Sequence, residues 1–382
     1  MKRRLLEAEH EAFRATVRTF IRREVTPNLG AWIEDGVSPR SLWLHAGATG
    51  LLGISVPEEY GGIEVDDFRY NAVLVEELCR AGTLGLASSI GIHTNIVAPY
   101  LLELATPEQK QRWLPGFASG ELITALAMTE PDAGSDLKAI RAVAAPADGG
   151  WLLNGQKTYI TNGWNADLVI TAVKTDPDAG HRGMSLVAVP ADSPGFTRGS
   201  RLHKIGQQES DTAELFFDDV WIPRENLLGQ VDRGFYHLME GLAQERLSVS
   251  VMAVACSETM LESTLGYVRD RKAFGGRLAD LQHVRMTLAT LSSEIDIARA
   301  FVDRCVDEHN EGELSALDAA KAKWWTTELQ RRVADECLQL HGGFGYMAES
   351  SISRAWLDGR VQTVYAGSTE TLKDYIGRQL TS

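Results

Sequence analysis

The stretch Trp151-Leu152-Leu153-Asn154-Gly155-Gln156-Lys157-Thr158-Tyr159-Ile160-Thr161 marks a change in the character of the chain. Strand-forming residues stand on both sides of Asn154-Gly155, a dipeptide typical of two-residue hairpin turns. This pattern predicts a hairpin between Trp151–Leu153 and Lys157–Thr161. Other short runs with strand character lie between turn residues: Ala139–Ala145, Leu168–Lys174, Met184–Val189 and Ala213–Phe217. Their even spacing favours a small antiparallel barrel or sandwich.

The sequence on either side of this region has helical periodicity. Before it, apolar residues recur at helical spacing from Phe13 to Val25, and Thr106-Pro107 is a typical N-cap and first helical residue. After it, helical patterns cover about 236–270, 281–309 and 314–341. The order helical, β, helical predicts three domains, at 1–121, 122–232 and 233–382.

Composition excludes several classes of protein. A chain of 382 residues with 44% hydrophobic and 24% charged residues is typical of a globular protein. The formal charge of −14 argues against a nucleic-acid partner, because no basic surplus exists to neutralise phosphates. The start, Met1–Leu6, is charged and no apolar run reaches about 18 residues, so we expect neither a signal peptide nor a membrane span. The expected state of the cysteines is that of buried free thiols in a reducing cytoplasm: Cys79, Cys256, Cys305 and Cys337.

Glu245 interrupts an apolar helical stripe. Steps of three and four residues join it to Leu242, Val249 and Met252. A carboxylate on such a stripe loses water on folding, which raises its pKa, and carboxyl groups tuned in this way are common general bases. The alternative is a buried acid in a structural ion pair. Arg246 is poorly aimed to be that partner, because consecutive residues point about 100° apart around a helix.

Several common catalytic motifs are absent from the sequence. It has no phosphate-binding GxxxxGK[ST] loop, no GxSxG nucleophile elbow and no HExxH metal motif, so we expect no metal. His341 is expected to cap or pack at a helix end. Gly342-Gly343-Phe344-Gly345 follows a helical pattern rather than a strand, which argues against a dinucleotide-binding fingerprint. Any nucleotide cofactor must be held in another way.

Five blocks of sequence resemble, in order, the signature blocks of the acyl-CoA dehydrogenase family. They are Met128–Asp136, Lys157–Gly163, Arg271–Gly275 with Gln282, Gln339–Tyr346, and Tyr365–Glu370 with Ile376-Gly377-Arg378. Each block is short, but the ordered set is specific and covers the chain from about residue 5 to its end. The resemblance implies an α+β multidomain fold with a helical N-terminal domain, a middle antiparallel β-barrel and a C-terminal four-helix bundle.

The resemblance also implies FAD as the cofactor. In the family the first two blocks line the flavin ring and the pyrophosphate; the corresponding residues here are Met128, Thr129, Ser135, Tyr159 and Thr161. Another set resembles residues that reach the FAD of a neighbouring subunit, namely Arg271, Phe274, Gln282, Gln339, Gly342 and Gly343, and the C-terminal block adds Ser368 and Glu370. A site of this kind implies a homo-oligomer, and the resemblance implies that it is a dimer of dimers, the common assembly of the family.

The C-terminal block departs from the commonest family pattern at one position. Most members carry the catalytic Glu between its Tyr and Gly, where this chain has Ala366. In the long-chain and isovaleryl branches the base lies instead on a helix before an Arg, a pattern that Leu242–Leu247 resembles. The resemblance therefore implies Glu245 as the base. The alternative is a flavoprotein that has lost dehydrogenation.

The activity implied by the resemblance is the α,β-dehydrogenation of an acyl-CoA to a trans-2-enoyl-CoA. Glu245 removes the α-proton, flavin N5 accepts the β-hydride, and the backbone N–H of Ala366 helps to polarise the thioester carbonyl. Arg246, Tyr365 and Gly367 are expected to border the substrate.

The expected partners are an acyl-CoA or acyl-carrier-protein thioester and an electron-transfer flavoprotein as acceptor. Other activities share the same motifs: a dehydrogenase of carrier-bound acyl or aminoacyl thioesters, or a flavin oxidase or monooxygenase of the same fold. A non-catalytic flavoprotein would leave the acid at Glu245 unexplained. Dispersed apolar positions line the acyl pocket, so neither chain length nor branching is predicted.

Overall fold

The computed structural model of the protein describes residues 3–381. Residues 1, 2 and 382, which include the outer limits of the first and last predicted domains, lie outside the described residues. The first third of the chain is helical, as its periodicity predicts. Its α-helices are α1 (Ala8–Phe20), α2 (Leu29–Asp35), α3 (Arg40–Ala48), α4 (Phe68–Arg80), α5 (Leu84–Gly91), α6 (Ala98–Leu104) and α7 (Pro107–Ser119). The π-helical segments Ile21–Val25 and Ile92–Val97 follow α1 and α5.

Helix α7 begins where the sequence predicts. The side chain of Thr106 accepts a hydrogen bond from the backbone N–H of Gln109 at 3.3 Å, and the Gln109 side chain accepts one from the Thr106 N–H at 2.8 Å. Pro107 occupies the first helical position. A backbone N–H at this position has no acceptor within the helix, so proline costs no hydrogen bond there. Gly120 ends the helix with a φ of 79°, a conformation that glycine adopts without strain. The prediction for Thr106 and Pro107 is confirmed.

The middle region forms a mixed sheet. Its strands are β1 (Thr124–Ala127), β2 (Val143–Ala147), β3 (Gly150–Thr161), β4 (Leu168–Lys174), β5 (Met184–Pro190), β6 (Phe196–Arg201), β7 (Thr212–Pro223) and β8 (Leu227–Leu228). They pair in the order β6-β7-β3-β2-β4-β5-β8, and β1 pairs with β4 in parallel. The expected closed antiparallel barrel is therefore wrong. The sheet stays open because β8 has only two residues and pairs with β5 alone, while β6 pairs with β7 alone.

The predicted hairpin turn at Asn154-Gly155 is also wrong. Both residues lie inside β3, a continuous strand, and the turn that joins β2 to β3 is at Asp148-Gly149. The pairing of β3 with β7 shifts register at Gly155, which makes a bulge rather than a turn. A Cβ on Gly155 would stand 2.7 Å from the Cα of Ala142, so the close packing requires glycine. The Asn154 amide donates to the Asp219 carboxylate at 2.8 Å, which ties the bulge to β7.

The last third of the chain is dominated by long helices. Its elements are α8 (Gly234–Asp270), β9 (Lys272–Ala273), β10 (Gly276–Arg277), α9 (Gln282–Asn310), α10 (Ala316–His341), α11 (Ser351–Gly359) and α12 (Thr369–Thr381). Helices α8, α9 and α10 pack against one another, and the shorter α11 and α12 pack on α10. The three predicted long helices are confirmed, whereas a four-helix bundle stays a prediction.

A shared core and a buried ion network join the first and last thirds of the chain. Apolar residues of α4 and α8 belong to one hydrophobic cluster. Beside it, the carboxylate of Glu76 on α4 accepts hydrogen bonds from Arg299 on α9 and from Arg3, each at 2.8 Å. Burial alone would raise the pKa of Glu76, but these two guanidinium groups, with a contribution from Arg80, lower it to about 2. Glu76 is therefore a charged contact between distant parts of the chain.

Three further observations concern features read from composition. No helix among residues 3–381 combines the length and apolar character needed to cross a membrane. Within the same range, no group of three or more His, Cys, Asp or Glu side chains is arranged to hold a metal ion. The cysteines are buried and free, as expected.

Candidate active site

Glu245 lies on α8 with its side chain buried, together with Val249 and Met252 of the same stripe. Burial raises the pKa of Glu245 to about 7, although a hydrogen bond from Tyr100 and the charge of Arg246 act in the opposite direction. Among the described residues, the carboxylate of Glu245 forms no salt bridge with a cation, which argues against the structural ion pair. A carboxyl group with a pKa near neutrality can exchange a proton under physiological conditions.

The carboxylate of Glu245 accepts a hydrogen bond from a residue far away in the sequence. The hydroxyl of Tyr100 on α6 donates to Oε1 at 2.9 Å. A cavity of about 250 Å³ lies between α6 and α8 beside this pair, lined by Ile96, Pro99, Tyr100, Glu103, Gly241 and Gln244 among others. Its volume is somewhat below that of a typical small-molecule pocket, so it could hold part of a ligand.

The loop before α12 carries Ala366, the residue that replaces the usual acid of the family. Ala366 and Gly367 both have left-handed backbones, with φ of 52° and 91°. The backbone N–H of Ala366 has no backbone or side-chain acceptor among the described residues. Lys323 on α10 is buried and donates from Nζ to the carbonyl oxygen of Gly367 at 2.7 Å. The Ala366 N–H is therefore available to a ligand, while the carbonyl of the next residue is held.

Arg246 and Tyr365 are both expected to border the substrate; Arg246 lies on α8, and Tyr365 directly precedes Ala366 in the sequence. Arg246 is 9% exposed, and its guanidinium lies 5.7 Å from the centroid of the Tyr375 ring. Its Nε is buried without an acceptor among residues 3–381. A buried donor without a partner is costly, so such a group commonly meets a ligand or a water molecule. Tyr365 and Ala366 pack against the hydrophobic core.

The structure places Met128 and Thr129, which follow β1, beside the last residues of β3. The backbone N–H of Thr158 donates to the carbonyl of Thr129 at 2.9 Å, and Nζ of Lys157 donates to the carbonyl of Met128 at 3.0 Å. Tyr159 has a φ of 59° at an irregularity in the β3–β7 pairing, and its side chain is 69% exposed. Irregular pairing of this kind re-aims side chains beside functional sites.

The remaining members of the predicted set lie at element ends. Thr161 is the last residue of β3, and Ser135 is exposed in the turn region after β1. Ser368 precedes α12, where its hydroxyl accepts a hydrogen bond from the backbone N–H of Thr371 at 3.3 Å. Glu370 is exposed in the first turn of the same helix. Ser368 and Glu370 therefore follow the Ala366 loop directly.

The residues expected to reach a neighbouring subunit form a separate group. Arg271 follows the last residue of α8, Phe274 stands in the exposed turn between β9 and β10, and Gln282 begins α9. Tyr267 of α8 stacks on His341 at a ring distance of 4.3 Å, which places the end of α10 beside the end of α8.

The end of α10 completes this second group. Gln339 is exposed in its last turn, and Gly342 and Gly343 follow it. Gly342 has φ 59° and ψ −143°, a combination that favours glycine, and a Cβ there would meet nothing within 4 Å. Among residues 3–381, no hydrogen bond, ion pair or ring contact joins this group to Met128, Thr129 or Tyr159.

Sequence reasoning missed three buried polar residues near the site. Lys323 stands in a run of alanines on α10, and this small-residue setting is the signal that could have marked it. Lys157 belongs to a quoted block and pairs with Glu130 at 2.7 Å, while burial lowers the pKa of Lys157 to about 8. Tyr100 carries no sequence signal, because its partner Glu245 lies 145 positions later.

The three regions of the chain match three family models in order. Residues 7–121 match the acyl-CoA dehydrogenase N-terminal domain, residues 125–220 the middle domain and residues 232–381 the C-terminal domain. The long-chain specific acyl-CoA dehydrogenase of Rattus norvegicus mitochondria is 44% identical, over 100% of this chain and 88% of that protein. The chain belongs to the acyl-CoA dehydrogenase family. The resemblance carried by the five sequence blocks is thereby confirmed.

Both branches suggested by the position of Glu245 occur among the relatives of this acyl-CoA dehydrogenase family member. Isovaleryl-CoA dehydrogenase of Solanum tuberosum is 35% identical over 98% of this chain and 91% of that protein. The crystal structure of an acyl-CoA dehydrogenase from Geobacillus kaustophilus has a TM-score of 0.97 and 48% identity, with 100% of both chains covered. A glutaryl-CoA dehydrogenase from Mycobacterium smegmatis, solved in complex with FADH2, has a TM-score of 0.91 and 28% identity, covering 99% of this chain and 95% of that one.

Proposed function

We propose that this acyl-CoA dehydrogenase family member catalyses the FAD-dependent α,β-dehydrogenation of an acyl thioester, with Glu245 as the base. The observation that supports this proposal is the setting of Glu245. The side chain is 4% exposed, it has no cationic partner in the described chain, and burial raises its pKa to about 7. A carboxylate poised in this way can take a proton from the carbon next to a thioester carbonyl.

The residues present fit FAD. Backbone groups at the ends of β1 and β3 suit the polar edge of a flavin ring, and the exposed ring of Tyr159 suits its apolar face. Arg271 is exposed at the end of α8, where its planar fork could donate two hydrogen bonds to a pyrophosphate. Open space at Gly342 lets the end of α10 approach a nucleotide closely. Bound FAD would supply the acceptor for the hydride that leaves the β-carbon.

Residues of the chain itself perform the proton transfer. The α-proton passes to the carboxylate of Glu245, and negative charge develops on the thioester oxygen. The free N–H of Ala366 is the proposed donor to that oxygen, and such donors stabilise developing charge without reorganisation. The unpaired Nε of Arg246 borders the substrate, with Tyr365 and Gly367 as a wall.

The lack of direct contact between the two predicted FAD-binding groups, among the described residues, supports a site completed by a second copy of the chain. In this proposal Arg271, Phe274, Gln282, Gln339, Gly342 and Gly343 of one subunit reach the FAD held by another. We infer a homo-oligomer, a dimer of dimers with four-helix C-terminal bundles, and domains at 1–121, 122–232 and 233–382. We further propose an acyl-CoA or acyl-carrier-protein thioester as substrate, an electron-transfer flavoprotein as acceptor, and a cytoplasmic location.

The test mixes the FAD-loaded protein anaerobically with a panel of acyl-CoA thioesters and measures the rate of FAD reduction by stopped-flow absorbance. Glu245→Gln keeps size and hydrogen bonding but cannot accept a proton, so reduction should slow by about 10²–10⁴-fold. The matched control is Glu262→Gln, which removes an exposed carboxylate from the same helix and should leave the rate unchanged. Reduction of the Glu245→Gln variant at the wild-type rate would contradict the proposal.

The same preparation distinguishes the related activities. A carrier-bound thioester that outperforms its CoA counterpart would indicate a carrier-protein substrate. Hydrogen peroxide formed in proportion to substrate under air would indicate an oxidase. If none of the thioesters reduces the FAD, a non-catalytic binding role is the remaining explanation.

A further inference from the structure

Tyr100 and Glu245 form a buried pair at the contact between α6 and α8. The Tyr100 hydroxyl donates to Oε1 of Glu245 at 2.9 Å, and the two side chains are 3% and 4% exposed. Oε2 accepts no hydrogen bond from the described residues, and the protein does not bury this oxygen completely. The two oxygens of the carboxylate therefore have different environments, one bonded and one open.

Gly241 makes room for this pair. It lies one helical turn before Glu245 on α8, and a Cβ there would stand 2.7 Å from the Tyr100 hydroxyl oxygen and 3.4 Å from Oε1 of Glu245. The first distance is shorter than real Cβ contacts allow, and a buried hydroxyl has little freedom to move aside. Glycine at this position is therefore needed for the hydrogen bond, and a side chain would push the hydroxyl away.

We propose that Tyr100, seated against Gly241, is a positioning residue that holds Oε1 of Glu245 and leaves Oε2 to accept the α-proton. This inference rests on the proposed role of Glu245 as the base. A carboxylate held through one oxygen cannot rotate freely, so the other oxygen keeps a fixed direction. Tyr100 is a neutral donor, so it orients the base without neutralising its charge.

The hydrogen bond also affects the protonation of the base. A donor to a carboxylate favours the charged form, so removal of the Tyr100 hydroxyl should raise the pKa of Glu245. Other charged groups act in the same region: Arg246 on α8 lowers the pKa of Glu245, and Glu103 and Glu240 help to raise that of Tyr100. The charge of Arg246 also lowers the pKa of Lys323 on α10. None of these groups changes in a Tyr100→Phe variant.

The experiment measures the pH dependence of FAD reduction in the holoenzyme for wild type, Tyr100→Phe, Gly241→Ala and the double variant. Loss of the hydrogen bond should move the acid limb of the profile to higher pH by about one unit. Tyr100→Phe should then lose about tenfold more activity at pH 6 than at pH 9, and a smaller loss should remain at pH 9 because Oε2 is no longer held in one direction. Gly241→Ala should shift the limb in the same direction, and the double variant should shift it no further.

A second readout is independent of turnover. The infrared C=O stretch of protonated Glu245 is identified as the band that Glu245→Gln removes, and its pH titration reports the pKa directly. The titration midpoint should rise in Tyr100→Phe and in Gly241→Ala. Tyr236→Phe, which removes a hydroxyl elsewhere on α8, is the matched control and should change neither readout.

The outcomes separate this inference from the proposed function. An unchanged profile and an unchanged titration in both Tyr100→Phe and Gly241→Ala would overturn the positioning role while Glu245→Gln remains inactive. Additive shifts in the double variant would also overturn it, because two routes to one lost bond cannot add. If instead Glu245→Gln reduces FAD normally, the proposed function itself fails.

Discussion

The ammonium group of Lys323 donates a hydrogen bond to the carbonyl oxygen of Gly367 at 2.7 Å and thereby ties α10 to the loop that carries Ala366. Lys323 is buried without a carboxylate partner in the described chain. Burial, reinforced by the charge of Arg246, lowers the pKa of Lys323 to about 7. An unpaired buried lysine is costly for folding, and such costs are concentrated at functional sites.

Replacing Lys323 should harm activity more than stability. Lys323→Met keeps the length of the side chain but removes the donor, so the Ala366 loop loses its anchor. We expect FAD reduction by thioester to slow by about 10–10²-fold, less than the loss of an oxyanion donor itself. The control is Lys321→Met, which removes a half-exposed lysine of the same helix. An unchanged rate in Lys323→Met would show that the loop needs no anchor.

Lys323 should also give stability a defined pH dependence. Its pKa in the folded protein is lowered from 10.5 to about 7, so the folded state binds fewer protons than the unfolded state between these values. The free energy of unfolding of wild type, relative to Lys323→Met, should therefore rise with pH from about 7 to 10.5 and be flat below 7. Chemical denaturation of both proteins across this range checks the sign. A relative free energy that is constant from pH 7 to 10 would contradict the prediction.

The ion network at Glu76 should limit stability in acid. The pKa of Glu76 is lowered from 4.5 to about 2 in the folded protein, so its stabilising contribution is present above pH 4.5 and is lost as the pH falls toward 2. At neutral pH, Glu76→Gln should lower the free energy of unfolding by about 3–5 kcal/mol, because Arg299 loses a buried partner. The difference between the two proteins, followed by denaturant titration, should shrink on acidification. A constant difference would place the acid sensitivity elsewhere.

Arg271 should contribute to retention of FAD rather than to folding. Its side chain is exposed, so Arg271→Ala removes no core contact, but it would remove a charge-assisted contact to phosphate of about 1.5–3 kcal/mol. We expect a roughly 10–150-fold rise in the Kd for FAD, measured by fluorescence after reconstitution of the apoprotein. Arg277→Ala, in the adjacent strand, is the matched control. Equal retention of FAD by both variants would exclude Arg271 from the cofactor site.

Local pattern determined the long helices and the burial of Glu245. Helical spacing is a property of consecutive residues, so the stripe from Leu242 to Met252 predicts a helix with a buried acid on it. The structure buries α8 on every face from Glu245 to Ser257, which the stripe does not predict. The capped start of α7 at Thr106 is local in the same sense. The ordered sequence blocks determined the family, because they preserve residues and spacing along the whole chain.

Tertiary structure decided the features that depend on distant partners. The turn propensity of Asn154-Gly155 is overridden by pairing with β7, where the Asp219 carboxylate accepts a hydrogen bond from the Asn154 side-chain amide. The strand order, with its parallel β1–β4 pair, is likewise set by contacts between segments far apart in the chain. The bond from Tyr100 to Glu245 spans 145 positions, so no local pattern contains it. A carboxylate on an apolar stripe can be read from the sequence, but the donor that orients it is selected only when the helices pack.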